Sequence, residues 1–155
     1  MARPTTRRLP DDARMSGGPR VVIDPLDDAA VKALHEWLER ARQAAIDPDE
    51  LASIDAAYAR YFDQVLRTPA DHRQDPTQTL TTIAMAMGEH LQRHSALHWR
   101  VVKDAEGTDL ALASADDTGV LFPVDPVADA WSKQQRDWLA DFVTEVLSEL
   151  EAASQ

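Results

Sequence analysis

The chain has no cysteine among its 155 residues. Disulfides, iron–sulfur clusters, thiolate zinc sites and cysteine nucleophiles are therefore excluded. The absence suits a reducing compartment, and a cytoplasmic location is expected. Glycine is scarce, at five residues, so a glycine-rich phosphate cradle is hard to build. No Walker loop, dinucleotide fingerprint or nucleophile elbow occurs. No apolar run approaches the roughly 20 residues of a membrane span, so no membrane partner is expected. Arg7-Arg8 has the look of a twin-arginine export signal, but Leu9 to Gly18 supplies no apolar core to follow it.

Basic residues are scarce, and unevenly placed. Residues 1–20 hold five arginines against two aspartates, for +3, while the remainder holds 11 basic and 25 acidic residues, for −14. A basic, flexible tail over 1–20 thus precedes one domain over 21–155. The tail's Pro, Gly, Ser, Thr and Arg content reads as disorder. Met15 is a second candidate initiator within it. An acidic body repels phosphates, which argues against a nucleic-acid groove on the domain. It suits a basic protein partner steered by charge, and it also serves simple solubility. Nucleic acid could be met only through the tail.

Periodicity then organises the body. Val21-Val22-Ile23 reads as an extended arm packed on it. Val31, Leu34, Leu38 and Ala41 recur at helical spacing and predict a helix over Asp28 to Ala45. Asp47, Pro48 and Glu50 make a helix-start signal for a second helix ending near Arg67, before Pro69. Asp75, Pro76 and Gln78 repeat that signal. Leu80, Ile83, Ala84, Met87, Gly88 and Leu91 follow as one buried stripe. Gly88 on that stripe predicts close approach of another backbone.

After Ser95 the period changes to two. Leu97, Trp99 and Val101 point one way; His98, Arg100 and Val102 point the other. Turns at Asp104–Gly107 and Ala115–Gly119 separate this strand from Asp109–Ala113 and from Val120-Leu121-Phe122. Val124, Val127 and Trp131 predict a short helix. Ser132 with Gln135 predicts the start of the last one, whose stripe is Leu139, Phe142, Val143, Val146, Leu147 and Leu150. The fold expected is α+β, with about five helices on a three-stranded antiparallel meander. Trp99 and Trp131 fit core positions, and Trp138 is expected to be partly exposed.

Candidate chemistry is confined to a few clusters. His90 and His94 share a helix face at i, i+4, and His98 lies just beyond the helix end. The three are the candidate metal ligands. The plainer reading is histidines meeting the negative end of a helix dipole. No glutamate motif of zinc proteases frames them, and no resident cofactor is implied. Asp104, Glu106, Asp109, Asp116 and Asp117 crowd the two hairpin turns without a calcium-loop pattern. Turn preference alone explains aspartate there, but the turns also present an acidic edge. With Arg3, Arg7, Arg8 and Arg14 of the tail, they are the candidate partner-binding residues. No nucleophile–base pattern is present. A non-enzymatic binding or regulatory module is the leading reading. A metal-binding protein or metal-dependent enzyme, and a nucleic-acid-assembly binder using the tail, are the alternatives.

Met87-Gly88-Glu89-His90-Leu91, His98-Trp99-Arg100-Val101-Val102 and Leu121-Phe122-Pro123-Val124 together resemble a bacterial family of unknown function, frequent in actinobacteria. That family's pattern is a helix ending Gly-x-x-Leu, a strand bearing Trp-x-Val, and a strand closing on aromatic-Pro before a helix. The resemblance spans about residues 55–150. It implies a small α+β fold and a bacterial cytoplasm, and it implies no catalytic residue. The tail and the histidine triplet lie outside the pattern.

Overall fold

The computed structural model describes residues 7–8 and 21–153. In chain order the elements are β1 (Arg7–Arg8), β2 (Val22–Asp24), α1 (Asp28–Gln43), α2 (Leu51–Arg67), a 3-10 turn (Ala70–His72), α3 (Thr77–Arg93), β3 (His98–Asp104), β4 (Gly107–Ala113), β5 (Gly119–Leu121), α4 (Val124–Ser132) and α5 (Leu139–Ala153). The architecture is α+β, with these helices gathered against an antiparallel sheet.

The sheet is wider than a three-stranded meander. Within residues 21–153 it has four strands in the order β5-β4-β3-β2. The fourth is the Val22–Asp24 arm, with Val22 opposite Lys103, Ile23 opposite Val102 and Asp24 opposite Val101. Three residues are too few to show a period. What makes them a strand is the long free edge of β3, whose backbone groups need partners. At the opposite edge the two-residue β1 pairs with β5, Arg7 opposite Val120 and Arg8 opposite Gly119. The other tail residues, Arg3 and Arg14 among them, lie outside the described residues.

Register assigns each strand residue to a face. Trp99 lies opposite Leu112, and Val101 opposite Leu110; these face the helices. His98 lies opposite Ala113, and Arg100 opposite Ala111, on the far face. There Val102, Ala111, Ala113 and Val120 form a second, smaller apolar cluster with Val21, Ile23 and Phe122 packed on it.

α3 is the axis of the molecule. It packs on α1, α2, α4, α5 and β4. It is buried almost all round from Leu80 to Leu91, so the single stripe read from its sequence understates its burial. Asp75 starts it, accepting hydrogen bonds from the Thr77 backbone N–H at 2.9 Å and the Thr77 hydroxyl at 2.6 Å. The matching signal before α2 acts differently. Asp47 Oδ1 accepts from the Asp49 N–H at 2.9 Å and builds a turn, and the helix begins only at Leu51. Asp27, unremarked in the sequence, caps α1 by accepting from the Ala30 N–H at 2.8 Å.

Two helices end on left-handed residues that are not glycine. After α1, Ala45 has φ 60°, with Ile46 N–H donating to the Ala41 carbonyl and Ala45 N–H to the Arg42 carbonyl. After α4, Gln134 has φ 56°, with Gln135 N–H donating to the Ala130 carbonyl and Gln134 N–H to the Trp131 carbonyl. Both are Schellman motifs. The second one breaks the expected Ser132–Gln135 helix start. Ser132 ends α4 instead, its hydroxyl donating to the Asp129 carbonyl at 3.0 Å, and α5 starts at Leu139.

A left-handed non-glycine residue costs about 1–2 kcal/mol. Ala45 is exposed. Ala45→Gly is therefore expected to raise stability, by up to about 1 kcal/mol once the extra unfolded-state entropy of glycine is subtracted. Urea unfolding checks this as a higher midpoint with an unchanged slope.

Candidate functional site

The C-terminal half of α3 carries the polar centre of the structure. A Cβ on Gly88 would sit 2.5 Å from Cη2 of Trp99 and 3.0 Å from Cγ of Pro123. Glycine is what lets the indole lie on the helix. The close partner is thus a side chain, not the backbone expected from the sequence. Trp99 is 5% exposed, and its Nε1–H donates to Glu89 Oε1 at 2.9 Å. The other carboxylate oxygen, Oε2, accepts from Arg93 Nε at 2.8 Å. Arg93 Nη1 continues to Asp49 Oδ1 at 2.8 Å and holds that carboxyl below its usual range, chiefly by the hydrogen bond. Indole, carboxylate, guanidinium and carboxylate thus form one chain from the core to the turn before α2. Each buried charge in it has a partner, as burial requires.

Next to Glu89 in the chain, His90 is 6% exposed, with Nδ1 2.7 Å from the Pro48 carbonyl. A carbonyl only accepts, so Nδ1 carries the proton. Burial is the main cause that pushes His90 below the usual histidine range, offsetting the Pro48 contact. The neutral ring stays against His94, centroid to centroid 4.3 Å.

His98 does not join them. Its Nε2 lies 3.0 Å from Asp117 Oδ1, on the far face of the sheet. The cause is the strand's period of two: Trp99 must face Gly88, so its neighbour must face away. Among the described residues, no group of three or more His, Asp or Glu side chains is placed to hold a metal ion. The histidine triplet read from the sequence is therefore a pair and a separate residue.

The acidic turns divide in the same way. Asp116 Oδ1 accepts from the Ser114 hydroxyl at 2.8 Å and the Thr118 hydroxyl at 2.7 Å, and these bonds hold its carboxyl low. Asp117, at φ 57°, meets both His98 and Arg100, the latter at 3.4 Å. Asp116 thus serves its own turn, whereas Asp117 ties the β4–β5 turn to β3. At the other end, Asp104 Oδ1 accepts from the Glu106 N–H at 2.8 Å, and Glu106 and Asp109 are exposed.

A feature missed in the sequence is a hollow of about 190 Å³ between the end of α2, the loop into α3 and the end of α4. Phe62, Val65, Leu66, Pro76 and Trp131 form its apolar wall, with Arg73, Gln74 and Gln134 also lining it. Trp131 is stacked on Tyr61 at 5.2 Å and stands edge-on to Phe62 at 5.9 Å. It is half-buried rather than core. Trp138 is half-buried too, edge-on to Tyr58 at 5.5 Å, in line with the expected partial exposure.

An α+β protein organised on a buried Gly-Glu-His segment and a tryptophan strand is the class these observations define. Residues 59–142 match the family described as a domain of unknown function (DUF3806), and the chain belongs to that family. The matched span holds the Gly88–Glu89–Trp99 centre and every residue lining the hollow. Comparison with curated proteins and with solved structures finds no match.

Two outcomes follow from this geometry. Trp99→Phe and Glu89→Leu, combined in a double-mutant cycle, are expected to show a coupling of at least about 1 kcal/mol, because each removes the other's buried partner. Chemical unfolding of the four proteins measures it. The second concerns pH. His90 titrates lower folded than unfolded, so the unfolded chain binds the extra proton, and stability falls as pH drops below about 6.5. The loss levels off below the folded value. His90→Gln is expected to be less stable at neutral pH yet to lose less on going from about pH 7 to pH 5. Parallel stability–pH curves for the two proteins would contradict the assignment.

Proposed function

We propose that this chain is a non-enzymatic binding module of a bacterial cytoplasm, engaging a basic protein partner through the acidic surface of its body. The observation that carries the reading is α5. Asp141, Glu145 and Glu149 are exposed at i, i+4 and i+8, and the helix contains no basic residue at all. None of the three is in an ion pair among the described residues. Like charges four apart repel by about 0.2–0.5 kcal/mol per pair, and acidic groups near a helix C-terminus oppose its dipole. A basic surface laid on this stripe would relieve both costs. Glu106 and Asp109 in the β3–β4 hairpin add exposed negative charge. The absence of cysteine suits a reducing cytoplasm.

The buried polar centre supports the non-enzymatic side of the reading. Glu89, Arg93 and Trp99 satisfy one another, and His90 is turned into the Pro48 carbonyl. These groups are spent on holding elements together.

The test is affinity capture with the full chain and with the triple variant Asp141→Asn, Glu145→Gln, Glu149→Gln. At about 0.15 M salt, the full chain is expected to retain a basic protein that the triple variant loses, with retention falling as salt rises. The variant's circular dichroism should be unchanged, since all three side chains face solvent. A retained set that is identical for the two proteins would overturn the reading.

A further inference from the structure

The hollow beside Trp131 joins an apolar wall to a guanidinium held in place. At about 190 Å³ it is smaller than the roughly 300–1,000 Å³ of typical small-molecule sites. It is still larger than the roughly 150 Å³ cavity that accepts a benzene ring. It is the size of one apolar side chain. Its wall is ready-made, because stacking on Tyr61 and the edge contact with Phe62 fix the Trp131 ring. Leu66 beside it is 55% exposed, an apolar surface that solvent covers in the free protein.

Arg73 decides what such a side chain is attached to. Its Nε donates to the Thr68 carbonyl at 2.8 Å, which fixes the plane of the guanidinium. The two terminal nitrogens remain, and they form the edge that grips a carboxylate with two parallel bonds. Among the described residues Arg73 meets no carboxylate, whereas Arg42, Arg93, Arg100 and Arg136 each have one. Among those residues Arg40 and Arg60 have no such pair either, but Arg73 is the arginine that lines this hollow, and there it complements an anion. The side-chain amides of Gln74 and Gln134, exposed on the same lining, can donate to and accept from a peptide backbone.

We infer that this groove captures the C-terminus of a peptide whose last residue is apolar, the side chain entering against Trp131 and Leu66 and the terminal carboxylate meeting Arg73. A terminal carboxylate sits one carbon from the side chain it accompanies, which is why a single hollow with one cation at its rim reads both. The groove uses no residue of the acidic stripe on α5, so this inference and the basic-partner reading stand or fall separately.

The experiment is a titration of the full chain followed by nitrogen–proton correlation spectra, with the Trp131 indole resonance assigned through Trp131→Phe. The probes are the acetylated tripeptide Gly-Gly-Phe as free acid, the same tripeptide as C-terminal amide, and 3-phenylpropionate. The free acid is expected to shift the Trp131 indole saturably, and the amide to bind at least about tenfold more weakly, the scale of one charge-assisted pair. Arg73→Gln is expected to bring the acid down to the amide's affinity. Arg73→Lys should restore part of the difference, because charge returns without the fork. No shift of Trp131 at millimolar peptide, or equal affinity for acid and amide, would overturn the site. Binding of 3-phenylpropionate as tight as the free-acid peptide would overturn the peptide as its occupant.

Discussion

The rest of the structure depends on one contact: the Trp99 indole lying on Gly88 while its N–H reaches Glu89. The apolar part of the ring needs a helix surface without a side chain, and only glycine provides one. The polar tip needs a buried acceptor, and Glu89 is the next residue along the helix. A carboxylate buried there needs a counter-charge, which Arg93 supplies one turn later. Arg93 then reaches Asp49 and ties the turn before α2 to the end of α3. Each link is required by the one before it, through the cost of leaving a buried polar or charged group without a partner. The helix gives up about 1 kcal/mol of propensity at Gly88 and gains the sheet as a packing partner.

The same contact determines what the neighbouring residues can do. With Trp99 turned to the helices, His98 and Arg100 lie on the far face and converge on Asp117. His90 and His94 stay on α3 as an adjacent pair, one of them fixed by the Pro48 carbonyl. The polar residues of the centre thereby bond one another, and the remaining charged groups lie at the surface. Two such surfaces differ in kind. α5 presents negative charge without shape. The hollow at Trp131 presents shape with one positive charge.

Much of this was legible in the sequence, and the reasons are local. The change from a 3.6 to a 2 period after Ser95, the two hairpin turns and the proline after Phe122 are short-range signals, and they mark the α+β order correctly. The stripe on α3 and the special status of Gly88 were equally plain. What escaped the reading is non-local. β2 exists because β3 has an open edge, which three residues cannot announce. Ala45 and Gln134 end helices in a conformation that usually selects glycine. Glu89 lies off the apolar stripe by helical spacing, and that spacing gives it no partner, yet a buried tryptophan N–H needs an acceptor, and a nearby glutamate was the available signal. The hollow joins residues 62–76 to residues 131 and 134, and no window along the chain contains both.

The measurement that tests the Gly88–Glu89–Trp99 contact most directly is native-state hydrogen exchange of the Trp99 indole N–H beside the backbone amides of α3. If that contact holds α3 to the sheet, the indole proton exchanges only when the molecule unfolds globally, with the same opening free energy as the amides from Leu80 to Leu91. A Trp99 indole that exchanges well ahead of those amides would show the sheet leaving the helix on its own, and would contradict the account.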